Sequence, residues 1–378
     1  MKKLFTMMMF SVLCSIQNVK GYDFSVTNSD GYPIWYNIVE GDHYMCAVTT
    51  DMNATVQYTR YIDSLRIPEY VTYDSKTYTV VKIDTLIGMG EGCPKYLEIP
   101  YTVKSVNYIY LSSLESIKVS PSNAYFMSKN GILYNKKQTE LIKCPPACGI
   151  SRFVIPSTVK SISNYAFAHC SGMRRVKIPD EVTYIGKEAF YQCSYLDSLV
   201  LPTALTTIGT KAFWDCNELG AIKIPENVVS ISSRAFVGCD FLNTVEISNS
   251  VQEIGDSAFF DCPSLKTIIS HIESPMEIGK RTFQLRQSTA SNKGVTVNCI
   301  YNTDTLYVPK GTSDLYKATE YWSLFKKIVE GDPTAVKEIK ANKINDNNIY
   351  DLSGRKILGD EKRGIIVTGG KKILLDRE

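Results

Sequence analysis

Five of the cysteines are spaced too evenly for independent chemistry. The chain has 11 cysteines, and Cys170, Cys193, Cys216, Cys239 and Cys262 recur every 23 residues. Side chains locked to a repeat point in parallel, which fits disulfide geometry poorly. They read as buried thiols serving as small apolar groups. Cys144 and Cys148, in Cys144-Pro145-Pro146-Ala147-Cys148, are the best placed to pair, although the prolines restrict the turn. Zinc needs a second ligand pair at suitable spacing, and none is present, so no metal site is expected. Of the three histidines, His43, His169 and His271, His169 falls in a slot held elsewhere by Gln192, Asp215, Gly238 and Asp261. That slot reads as a variable, exposed position. Asp215 and Asp261 read as turn formers rather than calcium ligands. No nucleophile–histidine–acid pattern, P-loop or dinucleotide fingerprint occurs. No cofactor and no catalysis are expected.

The same 23-residue step runs through other residue types. Phe167, Phe190, Phe213, Phe236 and Phe259 keep it, as do Ala166, Ala189, Ala212, Ala235 and Ala258. Pro156, Pro179, Pro202 and Pro225 follow, with Ser248 at the next step. Such self-similarity marks a stack of coils. In one coil, Leu196, Leu199 and Leu201 have the spacing of an inward-facing strand. Pro202, lacking an N–H, ends the strand. Leu205 and Ile208 return apolar groups to the core from an opposite wall. Gly209, with Gly186 and Gly255, is expected to support a tight bend. A lone coil buries too little to order its backbone, so stacking must supply the remainder, with equivalent residues forming ladders.

These residues resemble the BspA-like leucine-rich repeat family. Ile178-Pro179-Asp180-Glu181-Val182-Thr183-Tyr184-Ile185-Gly186-Lys187-Glu188-Ala189-Phe190-Tyr191-Gln192-Cys193-Ser194-Tyr195-Leu196 carries its I-P-x-x-V-x-x-I-G-x-x-A-F-x-x-C-x-x-L unit. The likeness is close over 150–270 and looser over 60–330, with Ile99-Pro100, Val103 and Val106 in a degenerate early unit. Asn130 to Asn135 resembles a hairpin insertion of that family. The resemblance implies a bacterial surface or secreted protein that binds host proteins, other cells or polymers, without catalysis.

The predicted fold is mainly β: a leucine-rich-repeat solenoid of ~23-residue units, with a β cap, a short capping helix and a small β module. Residues 1–21 read as a signal peptide: Lys2 and Lys3, an apolar stretch from Leu4 to Leu13, and a cleavage region at Val19-Lys20-Gly21. Cys14 offers a lipid-anchor alternative, disfavoured by the bulk of Leu13. Residues 22–66 form the expected cap and 67–330 the solenoid. Within these, a hairpin is expected around Asp74-Ser75-Lys76, a polar loop at Ser288 to Gly294 and a last strand at Thr305 to Pro309. Leu315, Ala318, Trp322 and Phe325 predict one helix over 312–326 lying on the open end of the core. Residues 331–378 read as a linker and a β module around Ile349 to Lys356 and Gly364 to Leu374. It resembles sorting-type modules, with an ordinary β appendage equally open.

What remains for function is surface. With 42 basic and 39 acidic residues the net charge is +3, too balanced to require nucleic acid or an anionic membrane. No segment of the mature chain is apolar enough to span a bilayer. Between the inward residues of the strands, Arg175, Lys177, Ser198, Val200, Ala221, Lys223, Thr244 and Glu246 should point outward on a concave sheet. Tyr191, Tyr195, Trp214 and Phe241 are further expected exposed at or near the turns, as binding anchors or packed between coils. The expected role is non-catalytic binding or adhesion outside the cytoplasm, toward host or bacterial proteins or glycans. A structural spacer of the cell envelope is the alternative.

Overall fold

The computed structural model describes residues 22–29, 33–41, 44–49, 63–89, 93–285, 298–299, 305–331, 364–368 and 371–375. The leader and Cys14, His43, the polar loop at 288–294, the linker at 333–345 and the segment 349–356 lie outside the described residues. The chain divides into two units, Met1–Glu330 and Gly331–Glu378. In the second, Gly364–Thr368 and Lys371–Leu375 pair antiparallel.

The first unit is the expected mainly β solenoid, and each regular coil has three walls. On the first wall, Arg152–Val154, Arg175–Lys177 and Ser198–Leu199 pair in parallel. Ala221–Lys223, Thr244–Ile247, Thr267–Ser270, Thr305–Val308 and Lys327–Glu330 continue it in a second parallel sheet. On the second wall, two-residue strands pair in parallel from Ser161–Ile162 through Tyr184–Ile185, Thr207–Ile208 and Ser230–Ile231 to Glu253–Ile254. Alternation explains their burial: Ile162, Ile185, Ile208, Ile231 and Ile254 face the core, while their partners in each pair face out.

The third wall is a turn with two left-handed residues per coil. Tyr165, Glu188, Lys211, Arg234 and Ser257 have φ between 53° and 60°. His169, Gln192, Asp215, Gly238 and Asp261 have φ between 56° and 69°. Side-chain-bearing residues adopt this region at a cost. The return is that turn amides reach the next coil: Phe190 N–H donates to Ala212 O at 2.7 Å and Phe213 N–H to Ala235 O at 2.8 Å. Gln192 and Asp215 do likewise, to Trp214 O and Val237 O. Inter-coil hydrogen bonding thus covers the turns as well as the second wall and most of the first, satisfying backbone that burial would otherwise leave unpaired.

Inside, the phenylalanines form one column. Phe167, Phe190, Phe213, Phe236 and Phe259 stack at 4.8–5.2 Å with ring planes within 10°. Phe283 extends it at 5.4 Å. Trp322 and Phe325 close the end against Phe283 at 5.7 and 5.5 Å. The closing helix is shorter than predicted. Ser313–Ala318 is α-helical and Trp322–Leu324 is a 3-10 turn, separated by Tyr321 at φ 63°. Leu315 is half exposed, and Ala318 is exposed. Tyr316 points inward instead, its hydroxyl donating to Ile272 O at 2.8 Å. The helical spacing misread the face because Trp322 and Phe325 belong to a separate turn.

Gly186, Gly209 and Gly255 also have a different role from the one expected. None has positive φ. They sit where coils touch: a Cβ on Gly209 would lie 2.5 Å from the Gly186 carbonyl carbon.

The N-terminal part packs its own core. Phe24–Thr27, Pro33–Ile38, Met45–Thr49, Lys76–Gly88 and Tyr70–Tyr73 form a sheet in that order. The hairpin at Asp74 and Ser75, both at positive φ, is present. Ser105–Leu111 joins Lys76–Gly88 in parallel. Beside this sheet, Ser64–Arg66, Tyr96–Ile99 and Ser116–Val119 pair in parallel. Phe126–Lys129 and Ile132–Asn135 form the inserted hairpin, turned by Asn130 and Gly131 at φ 52° and 77°.

Candidate binding surface

On the first wall, the register places equivalent side chains above one another. Arg175 stands over Arg152 and Ser198 over Arg175; Ala221 and Thr244 pair in the second sheet. Their inward neighbours Val176, Leu199, Ile222 and Val245 are buried. Arg175, Lys177, Ser198, Val200, Ala221 and Lys223 are exposed, and Thr244 and Glu246 are partly buried. A strand's two-residue period is sufficient cause for this division.

The outward face is not a uniform polar surface. Val154 is 67% exposed and Val200 78% exposed. They alternate by coil with Lys177 and Lys223, producing an apolar–basic–apolar–basic sequence along the stack. Lys223 Nζ meets Glu246 Oε1 at 2.6 Å, and His271 Nε2 meets the same oxygen at 3.1 Å. Arg175 meets Asp197 at 3.5 Å. At Val200 the wall is also discontinuous: among the described residues, no strand pairing joins Ser198–Leu199 to Ala221–Lys223. The sequence carries no mark of this interruption, since the 23-residue step continues through it.

A second feature was not legible at all. A cleft of about 850 Å³ lies where the N-terminal sheet meets the first coils, lined by Arg66, Pro68, Tyr70, Glu98, Pro100 and Lys118 among others. Arg66, Glu98 and Lys118 occupy one register column and are joined by ion pairs at 3.3 and 3.7 Å. They are separated by 32 and 20 residues rather than 23, so self-similarity could not align them.

The turn wall differs from expectation in two respects. The His169 slot is partly buried and left-handed rather than freely exposed. His169 lies 4.2 Å from the Tyr110 ring centroid and 5.3 Å from that of Tyr191. Burial, aided by the charge of Lys143, lowers its pKa to about 4. Tyr191 is buried, and Trp214 is partly buried beneath Lys211; Tyr195 and Phe241 are exposed. Asp215 and Asp261 are turn residues, as their positive φ shows.

The cysteine column is interior. Cys193, Cys216, Cys239 and Cys262 donate to Phe167 O, Phe190 O, Phe213 O and Phe236 O at 3.1–3.2 Å. Each thiol thus ties its coil to the one before. Burial pushes the Cys193, Cys216 and Cys239 thiols well up, away from the thiolate that nucleophilic chemistry requires. Among the described residues, no group of three or more metal-ligating side chains converges.

Residues 143–266 and 211–306 match the BspA type leucine rich repeat region, in 6 copies. No curated protein matches the sequence. Among solved structures, the chain is similar to the pneumococcal vaccine antigen PcpA, at 17% identity over 83% of this chain and 100% of that one, with a TM-score of 0.47. It is similar to a leucine-rich repeat protein from Eubacterium ventriosum at 24% identity, over 57% and 68%, with a TM-score of 0.41. A leucine rich cell surface protein from Faecalibacterium prausnitzii gives 22% identity, over 76% and 70%, with a TM-score of 0.35. With its 23-residue coils, aligned phenylalanines and matching repeats, residues 143–306 are a BspA type leucine rich repeat region.

Proposed function

We propose that this is a non-catalytic binding protein that acts outside the cytoplasm, with the outward column of the first wall as its contact surface. The observation that carries the reading is the exposure of Val154 and Val200, alternating along the stack with Lys177 and Lys223. Exposed apolar side chains flanked by charge on a stack of coils joined by backbone hydrogen bonds favour contact with a partner, because burying them there requires little reordering of the scaffold. The partner is a host or bacterial protein, or a glycan, carrying acidic groups opposite the lysines. The leader-like start of the sequence and the repeat family support export. No helix among the described residues is long and apolar enough to cross a membrane.

The test combines Lys177→Glu, Val200→Asp and Lys223→Glu in one variant. All three sites are exposed, so the fold should persist, as circular dichroism would show. The protein is screened against immobilised proteins and glycans, and each hit is re-measured with the variant. A loss of about tenfold or more in affinity is expected, with Tyr184→Ala on the second wall leaving binding intact. Equal affinity of the triple variant and the unmodified protein would remove this surface as the site.

A further inference from the structure

Cys144 and Cys148 stand apart from the ladder thiols. Cys144 takes the position of the column phenylalanine in its coil, 23 residues before Phe167. Its N–H donates to Ala166 O at 2.7 Å, as the phenylalanine amides do to the alanine carbonyls of the following coil. A small side chain therefore replaces a ring, and Cys148 folds back toward the space. The two sulfurs lie 3.7 Å apart. A disulfide is about 2.0 Å long, so closure requires a movement of less than about 2 Å, within reach of side-chain rotation.

The pair is asymmetric. Cys144 is buried, whereas Cys148 is partly exposed. Ala147 and Gly149 on either side of it are exposed. Gly149 has φ 71°, and a Cβ there would meet nothing within 4 Å. The Cys148 sulfur takes a hydrogen bond from Cys144, and that turn brings the Ile150 N–H to it as well; against the opposing effect of burial, these lower its pKa to about 6. Hydrogen bonds to Cys148 and Cys170, with burial, push the Cys144 thiol well up. Beneath them lies buried Lys143, whose Nζ donates to Tyr165 O at 3.0 Å and Ala168 O at 3.3 Å. The arrangement has the parts that thiol–disulfide exchange needs: an accessible sulfur stabilised as thiolate and a second thiol in reach of it.

We infer that Cys148 and Cys144 form an exchange site, with Cys148 attacking a disulfide outside the chain and Cys144 resolving the product. In the first step the Cys148 thiolate bonds to one sulfur of the external disulfide, whose S–S bond breaks and releases a thiolate. In the second, Cys144 gives up its proton and attacks the Cys148 sulfur, expelling the other half as thiolate. Two protein thiols are oxidised to one disulfide, and the external disulfide is reduced to two thiols. The co-reactant is a low-molecular-weight disulfide or an accessible disulfide on a partner.

The folded protein is incubated with oxidised glutathione at neutral pH, quenched by alkylation and peptide-mapped. A Cys144–Cys148 bridge is expected in the unmodified protein, and a trapped glutathione on Cys148 in Cys144→Ser. Neither should form in Cys148→Ser. Brief alkylation of the unmodified native protein, which needs no variant to fold, should label Cys148 ahead of Cys46, Cys93 and the ladder cysteines. Free thiols at both positions after incubation, a Cys144–Cys170 bridge, or labelling of the ladder before Cys148 would each overturn the assignment.

Discussion

Truncation of one ring in the phenylalanine column, Phe213→Ala, should be among the most damaging single changes in the molecule. Phe213 is fully buried and lies between Phe190 at 5.2 Å and Phe236 at 5.1 Å, with planes 10° and 9° apart. Removing a buried phenylalanine costs about 3–5 kcal/mol, toward the upper end where neighbours cannot collapse into the space. Here they cannot: each flanking ring is held by its own coil, whose spacing the backbone ladders fix. Two stacked pairs are lost, each contributing roughly 0.5–1.5 kcal/mol beyond its buried area. We expect a loss of about 4–5 kcal/mol, a large share of the ~5–15 kcal/mol that stabilises a folded domain. Phe167→Ala should cost less by about 0.5–1.5 kcal/mol. Its ring has one close parallel neighbour, Phe190 at 4.8 Å, while Phe153 sits at 6.0 Å and 56°. Urea titration read by circular dichroism and by the emission of buried Trp322 measures both. A cost below about 1.5 kcal/mol for Phe213→Ala, or a larger cost for Phe167→Ala, would refute the reasoning.

His169 should make stability depend on acid. Its pKa is about 4 in the fold against 6.5 unperturbed, so between these values the unfolded chain binds a proton that the folded chain does not. Stability should therefore rise with pH through that window, by about 3 kcal/mol in total, and be complete above it. His169→Gln, which installs the residue of the next coil, should flatten the slope; an unchanged pH profile of unfolding would contradict the assignment. Gly131→Ala should destabilise by about 1–3 kcal/mol. Its φ is 77°, and the new Cβ would lie 2.7 Å from Ser116 Oγ and 3.2 Å from Ser116 Cα. Gly311→Ala, at φ 80° with nothing within 4 Å, should cost about 1 kcal/mol. Equal denaturation midpoints for the two would show that contact with Ser116 contributes nothing.

The regular coils were legible because one period carries several residue types at once. Phenylalanine, alanine and cysteine each mark a different part of the turn, and any one of them aligns the others. Proline and the paired leucines mark the first wall. What the period cannot report is backbone handedness. Tyr165, Glu188, Lys211, Arg234 and Ser257 share a left-handed conformation but no side-chain type, because hydrogen bonding to the next coil imposes it. Burial of His169 was missed, and packing of Tyr191 was left open, for a related reason. Both lie on the turn wall near Tyr110, a residue of the N-terminal sheet that has no repeat relation to them. The cleft at Arg66, Glu98 and Lys118 escaped because insertions change the length of the early coils. The Val200 surface was partly legible: strand alternation put the residue outside, but the break in pairing beside it depends on packing between coils.

Native-state hydrogen exchange at the turn amides tests most directly whether the coils are held together on all three walls. Phe190, Phe213, Gln192 and Asp215 N–H donate to the following coil at 2.7–2.8 Å. They should exchange as slowly as the strand amides of Ile222 and Val245, through opening of the stack alone. Exchange at these four positions at the rate of exposed turns, with the strands still protected, would mean that the turns hang free and that the inter-coil bonding described here is absent.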